Sequence, residues 1–169
     1  MDVVIGIDVG LNGAIAVLIG GSKPMVYPIP TYKDGKGKNR YDYNALCRIF
    51  EHIKYNTVYG SIIGCALERC TAMPKQGSVS GFSFGEAYGF YKGVLTALSI
   101  PYEIVQPKKW QQEFSISNDT KKGSFAVASR LYPNLELQTP RGRVLDGACD
   151  ALLLATYMAR KLKGEINAK

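Results

Sequence analysis

Histidine is nearly missing from this chain. His52 is the only one among 169 residues, and the four cysteines, Cys47, Cys65, Cys70 and Cys149, include no CxxC pair. Zinc sites are built from compact sets of such ligands, so this chain has little from which to make one. Cys65 and Cys149 lie in apolar runs, where small buried thiols are the commoner outcome than disulfides. No apolar stretch approaches the roughly 18 to 20 uncharged residues that a membrane span requires. The opening Met1-Asp2 leads into an apolar run broken at Asp8, with neither the basic region nor the small-residue cleavage site of a secretion signal. These absences predict a soluble intracellular protein with no membrane partner. Internal repeats and low-complexity segments are also missing.

Acids are in the minority, with 14 Asp and Glu against 21 Lys and Arg and a net charge of +7. Hydrophobic residues at 46% and charged residues at 21% are close to globular averages, so the chain has the means to fold. Its length allows one sizeable core, and we expect a single domain over residues 1–169. Lysines cluster at 33–38, 108–109, 121–122 and 161–163. Such clusters suit a polyanionic partner, and each also suits a merely solvated face.

Short β-branched runs at 3–8, 14–19 and 25–29, punctuated by glycines, predict three strands in an antiparallel meander. The polar, glycine-rich segment 33–40 reads as a mobile surface loop. Apolar residues recur at helical spacing over 43–55, with Asp42 or Asn44 as the cap. The continuous apolar run 62–67, ending at Glu68, predicts a strand buried on both faces and parallel to the first. A loop over 71–83 is expected next, then a helix over 84–98. Its Gly85, Gly89 and Gly93 predict close packing against a sheet, another helix or a dimer partner. A fifth strand over 102–105 ended by Pro107, a helix over 120–131 capped by Asn118 or Asp119, and a last helix over 144–162 complete an α/β pattern.

Four acids stand out against this pattern. Asp8 and Glu68 each close a buried apolar strand, where an unpaired carboxylate is costly unless a cation meets it. If the two strands are parallel neighbours, both acids lie at the carboxyl ends, where open α/β sheets bind ligands. Asp146 and Asp150 are four residues apart and therefore only about 40° apart around a helix. Asp146 alone is also explained as a favourable charge at a helix N-terminus. Asp150 sits among Ala148, Cys149, Ala151 and Leu152, which is no solvated face. Four carboxylates without matching histidine or thiolate make an all-oxygen site suited to magnesium or manganese. Two such ions can clamp the attacking and leaving oxygens of a phosphodiester.

The segments Gly6-Ile7-Asp8-Val9-Gly10-Leu11-Asn12-Gly13-Ala14-Ile15-Ala16, Ala66-Leu67-Glu68 and Asp146-Gly147-Ala148-Cys149-Asp150-Ala151-Leu152-Leu153-Leu154-Ala155 together resemble the three acidic motifs of RuvC-type Holliday junction resolvases, especially phage members. The ordered set runs from about residue 3 to 160. The resemblance implies a ribonuclease H-like fold, a five-stranded mixed sheet flanked by helices. It further implies a homodimer, two Mg2+ ions per active site with Mn2+ able to substitute, and paired nicks in four-way junctions and other branched DNA. The compartment implied is the cytoplasm of a bacterial cell or phage-infected host. Asp8, Glu68 and Asp150 take metal-ligand and catalytic roles by motif match. Asp146 departs from the pattern, because bacterial members commonly carry the partner acid three residues before the last aspartate, where this chain has Gly147.

The family's basic residues correspond to Lys108 or Lys109 and to Lys121 or Lys122, as contacts to the DNA backbone or the scissile phosphate. Thr71 occupies the place of a base-stacking aromatic in bacterial members. Met73, Phe82 and Phe84 are the nearby candidates for that contact, and each is more often a core or interface residue. Two rival functions remain. Asp8-Val9-Gly10-Leu11-Asn12-Gly13 also resembles the phosphate loop of actin-like and sugar-kinase ATPases, although no second such loop appears. A non-catalytic junction-binding protein would use the same basic surface.

Overall fold

Alternation along one central strand organises the molecule. The structure is a computed structural model and describes residues 1–56, 60–70, 78–116 and 123–166. In chain order its elements are β1 (Asp2–Ile7), β2 (Ala14–Ile19), β3 (Met25–Pro28), β4 (Thr31–Lys33), β5 (Asn39–Tyr41), α1 (Tyr43–Tyr55), β6 (Ser61–Glu68), α2 (Ser78–Ala97), β7 (Tyr102–Val105), α3 (Pro107–Glu113), α4 (Gly123–Leu131) and α5 (Asp146–Leu162). Five strands form a mixed sheet in the order β3-β2-β1-β6-β7, while β4 and β5 pair separately. β2 runs antiparallel to both β1 and β3, and β6 runs parallel to β1 and β7. The carboxyl ends of β1, β3, β6 and β7 therefore share one edge.

The two-residue period of a strand sends successive side chains to opposite faces. Val3, Ile5 and Ile7 of β1 enter a core with Leu46, Phe50 and Ile53 of α1 and Ala87, Tyr91 and Leu95 of α2. Val4, with Ala14 and Ala16 of β2, enters a second core with Leu152, Leu153 and Ala155 of α5 and Trp110 of α3. The Asp42 carboxylate accepts from the Ala45 backbone N–H at 2.9 Å and so caps α1. Cys65 and Cys149 are buried, as their apolar surroundings predict.

The second core depends on an unusually close approach of α5 to the sheet. A Cβ added at Gly6 would lie 2.2 Å from the Ala151 carbonyl oxygen and 2.3 Å from the Ala155 nitrogen. One added at Gly147 would lie 2.2 Å from the Asn12 carbonyl oxygen. Both are backbone atoms that cannot swing aside.

Several expectations need correction. Segment 33–40 is loop only over residues 34–38, because its ends belong to β4 and β5, which form a hairpin closed by the Asp34 N–H donating to the Lys38 carbonyl at 2.9 Å. Helix α2 begins at Ser78, within the stretch read as loop. Among the described residues its glycine stripe packs on nothing: a Cβ at Gly85, Gly89 or Gly93 would meet none of them within 4 Å. Ala87, Tyr91 and Leu95, two positions further along, take the core-facing side, about 200° around the axis. Pro107 both ends β7 and opens an unforeseen helix, α3, where its fixed φ and missing N–H suit the first turn. The strand β6 is buried on both faces only over its second half. Helix α4 is described from Gly123, and α5 begins at Asp146. The expected caps Asn118 and Asp119 lie outside the described residues.

Substituting Gly6→Ala should force α5 off the sheet and destabilise the protein by about 2–3 kcal/mol. Thermal unfolding should show a melting temperature at least about 5 °C lower. An unchanged melting temperature would show that the approach is not as tight as the backbone distances indicate.

Candidate active site at the carboxyl ends of the strands

In the parallel pairing of β1 with β6, Ile7 lies opposite Leu67, so the next residues along, Asp8 and Glu68, leave adjacent strands side by side. The Asp8 loop is fixed locally. The Asp8 N–H donates to the Ala14 carbonyl at 3.0 Å, and the Gly10 N–H donates to Asp8 Oδ1 at 3.2 Å. Glu68 Oε1 accepts from Nε1 of Trp110 at 2.9 Å. Asp150 lies one turn into α5, brought over the β1 end by the Gly6 and Gly147 contacts, and has a side-chain hydrogen bond with Ser124 of α4.

The electrostatics connect these three acids. Burial, then the Asp8 and Asp150 charges, push the Glu68 carboxyl up to about 7 against the opposing Trp110 hydrogen bond. Burial pushes Asp150 up to about 6, with Asp8 and Asp146 adding to the rise and Ser124 opposing it. Burial also raises Asp8, against the Gly10 N–H. Each charge is thus felt by a neighbour in a partly desolvated place. Clustered carboxylates with raised proton affinity are a recurrent mark of functional sites.

Asp146 stands apart from this group. It is exposed at the first turn of α5 and contributes to the rise at Asp150 but not to that at Glu68. It lines a separate pocket of about 360 Å³ with Asn12, Thr31 and Arg143. The family position for this acid is closed here, since any side chain at Gly147 would strike the Asn12 backbone.

All-oxygen carboxylate donors fit a hard divalent cation by their chemistry. As they stand, no group of three or more His, Cys, Asp or Glu side chains among the described residues is gathered tightly enough to hold a metal ion. The thiols offer no alternative, because burial pushes both Cys70 and Cys149 up to about 12.

Of the basic candidates, Lys108 and Lys109 are exposed on the first turn of α3, immediately before Trp110. Lys121, Lys122 and Met73 lie outside the described residues. Phe82 is 77% exposed on α2, whereas Phe84 packs against the first core. Sequence reasoning missed Trp110, fully buried and bonded to Glu68 across 42 positions. The available signal was a lone tryptophan beside a lysine pair, whose buried N–H would need an acceptor.

No protein-family model and no curated protein matches this sequence. Solved structures do match. A Thermus thermophilus RuvC in complex with a Holliday junction substrate aligns over 96% of this chain and 96% of its own, with a TM-score of 0.57 and 16% identity. A second Thermus thermophilus RuvC structure aligns over 94% of this chain and 96% of its own, with a TM-score of 0.59 and 15% identity. The fold is that of RuvC. It is ribonuclease H-like, with a five-stranded mixed sheet and helices on both faces. No helix among the described residues is long and apolar enough to cross a membrane.

The raised Glu68 carboxyl makes a signed prediction. An acid with a raised folded-state pKa contributes stability fully present below its unfolded value near 4.5 and lost as pH rises through about 7. In chelator, the protein should therefore lose stability between pH 5 and 8. Glu68→Gln, which keeps an acceptor for Trp110, should flatten that loss and be more stable than the parent at pH 8 by roughly 2–3 kcal/mol. Parallel denaturation curves for the two proteins at both pH values would refute the assignment of this shift.

Proposed function

We propose that the protein is a metal-dependent, structure-selective endonuclease of the Holliday junction resolvase type, acting on four-way junctions and other branched DNA. The observation that carries the proposal is the convergence of Asp8, Glu68 and Asp150, from three separate elements, at one edge of a RuvC-like sheet. The net charge of +7 supports a polyanionic substrate. The motif set points to a phage-type member working in the cytoplasm of a bacterial cell or infected host.

In this mechanism Asp8, Glu68 and Asp150 would hold two Mg2+ ions, for which Mn2+ would substitute, with Asp146 as a further ligand. The ions, when bound, would supply activation of a water nucleophile and charge stabilisation at the leaving oxygen. Asp8, which follows the central strand, would be the principal ligand. Trp110 orients the Glu68 carboxylate through its N–H and holds down its proton affinity. Lys108 or Lys109, with Lys121 or Lys122, contact backbone phosphates, and Phe82 or Met73 meets an unstacked base. Paired cuts require two sites, hence a homodimer, and the uncovered glycine face of α2 is the surface we assign to it.

A non-catalytic junction binder is the second reading, favoured by the failure of the acids to close into a three-ligand group as they stand. A labelled four-way junction with Mg2+ discriminates the two. Symmetric nicks are expected, and tight binding without nicks in either Mg2+ or Mn2+ would favour the binder.

Asp8→Asn should bind the junction as the parent does and cleave at least about a thousandfold more slowly, a loss of about 4 kcal/mol in transition-state stabilisation. Retained Mg2+-dependent cleavage would remove Asp8 from the mechanism. Trp110→Phe keeps an aromatic ring but loses the donor to Glu68. The Mg2+ concentration for half-maximal cleavage should rise about tenfold or more. An unchanged Mg2+ requirement would leave Trp110 a packing role only.

A further inference from the structure

Tyr41 is what the β4–β5 hairpin buries in the first core, since β4 is exposed along its whole length and the two strands form a sheet of their own. Its turn is nevertheless held by local hydrogen bonds. Asp34 Oδ1 accepts from the Lys36 N–H at 2.9 Å and the Lys38 N–H at 3.0 Å, while Oδ2 pairs with Arg40 Nε at 2.9 Å. The one acid of the turn is thus engaged within the turn. Lys33, Lys36 and Lys38 are exposed, and among the described residues none has a carboxylate within ion-pairing distance. Three like charges on so short a hairpin make a locally electropositive surface that suits an anionic partner.

Its root is tied to the acidic loop. The Tyr41 hydroxyl donates to the Val9 carbonyl at 3.0 Å, and the Ile29 N–H donates to the Gly13 carbonyl at 3.1 Å. The hairpin is thereby fastened at both ends of the loop that follows Asp8. Thr31 lines the pocket shared with Arg143 and Asp146, and the two-residue strand period puts Lys33 on the same hairpin face as Thr31. The hairpin leaves the sheet at the end of β3, one edge strand. Lys108 and Lys109 leave it just after β7, the other. Four strand spacings separate these edges, a span of roughly 19 Å. Two basic margins therefore flank the sheet edge that carries Asp8 and Glu68.

We propose that the β4–β5 hairpin is a preformed clamp for the phosphate backbone of a DNA arm lying along the acidic edge of the sheet, with Lys33, Lys36 and Lys38 making the phosphate contacts. This rests on the branched-DNA reading above and assigns it a surface outside the acidic motifs. The hairpin carries affinity and orientation, not chemistry. Its backbone contacts read no sequence, and they weaken with salt as counterion release requires.

The test is equilibrium binding of a fluorescent four-way junction in Ca2+ from 50 to 300 mM KCl, comparing the parent with Lys33→Ala/Lys36→Ala/Lys38→Ala. The triple variant should bind about tenfold or more weakly at low salt, with a log–log salt slope shallower by about 2 to 3, on the basis of roughly 0.9 per lost phosphate contact. Its melting temperature should match the parent's. If the triple variant unfolds, the single reversal Lys36→Glu at the turn replaces it, with weaker binding again expected. Parent-like affinity and slope in a folded variant would overturn the clamp and leave the nuclease reading standing. A parent protein that binds neither junction nor duplex would overturn both.

Discussion

The separation between α5 and the central strand is the constraint on which the rest of this structure depends. Gly6 on β1 and Gly147 on α5 let backbone meet backbone, and Ala151 and Ala155 fill the seam without forcing it open. Asp150 owes its position to that seam: a helix held even one methyl group further out would carry its carboxylate away from Asp8. The same seam leaves no room for a side chain at 147, which would occupy the space of the Asn12 carbonyl, while Asp146 stands one residue earlier on the exposed margin.

Against this packing constraint works an electrostatic one. Folding gathers Asp8, Glu68 and Asp150 where burial disfavours their charged forms, and the Asp8 charge makes both Glu68 and Asp150 harder to ionise. Among the described residues the donors are the Gly10 N–H for Asp8, Trp110 for Glu68 and Ser124 for Asp150. These do not neutralise the carboxylates, and the shifts remain upward. A divalent cation would offset the charge they share if the side chains closed around it, which is the basis of the metal-dependent reading proposed above.

Much of this was legible in the sequence, because strand and helix periods are local. The run 62–67 announced a parallel strand by its apolar continuity, and Glu68 at its end stands beside Asp8 as that pairing requires. Asp8 and Asp150 were legible for a related reason, as carboxylates set among apolar neighbours. Long-range pairing was not legible. Trp110 meets Glu68 from 42 positions away, and nothing near Trp110 names its partner. The hairpin was hidden because a polar, glycine-rich stretch reads as loop until the Asp34 carboxylate is seen collecting the turn's donors. The stripe of Gly85, Gly89 and Gly93 misled for the opposite reason: small residues permit close packing but do not compel it, and Ala87, Tyr91 and Leu95 took the core-facing side.

The central claim is that these three carboxylates form one divalent-cation site. Anomalous diffraction from crystals grown with Mn2+ tests it most directly. The account predicts manganese bound directly to oxygens of Asp8, Glu68 and Asp150, with Trp110 still donating to Glu68. Manganese bound at Asp146 without the other three, or a saturating soak that leaves the three carboxylates without bound metal, would contradict it.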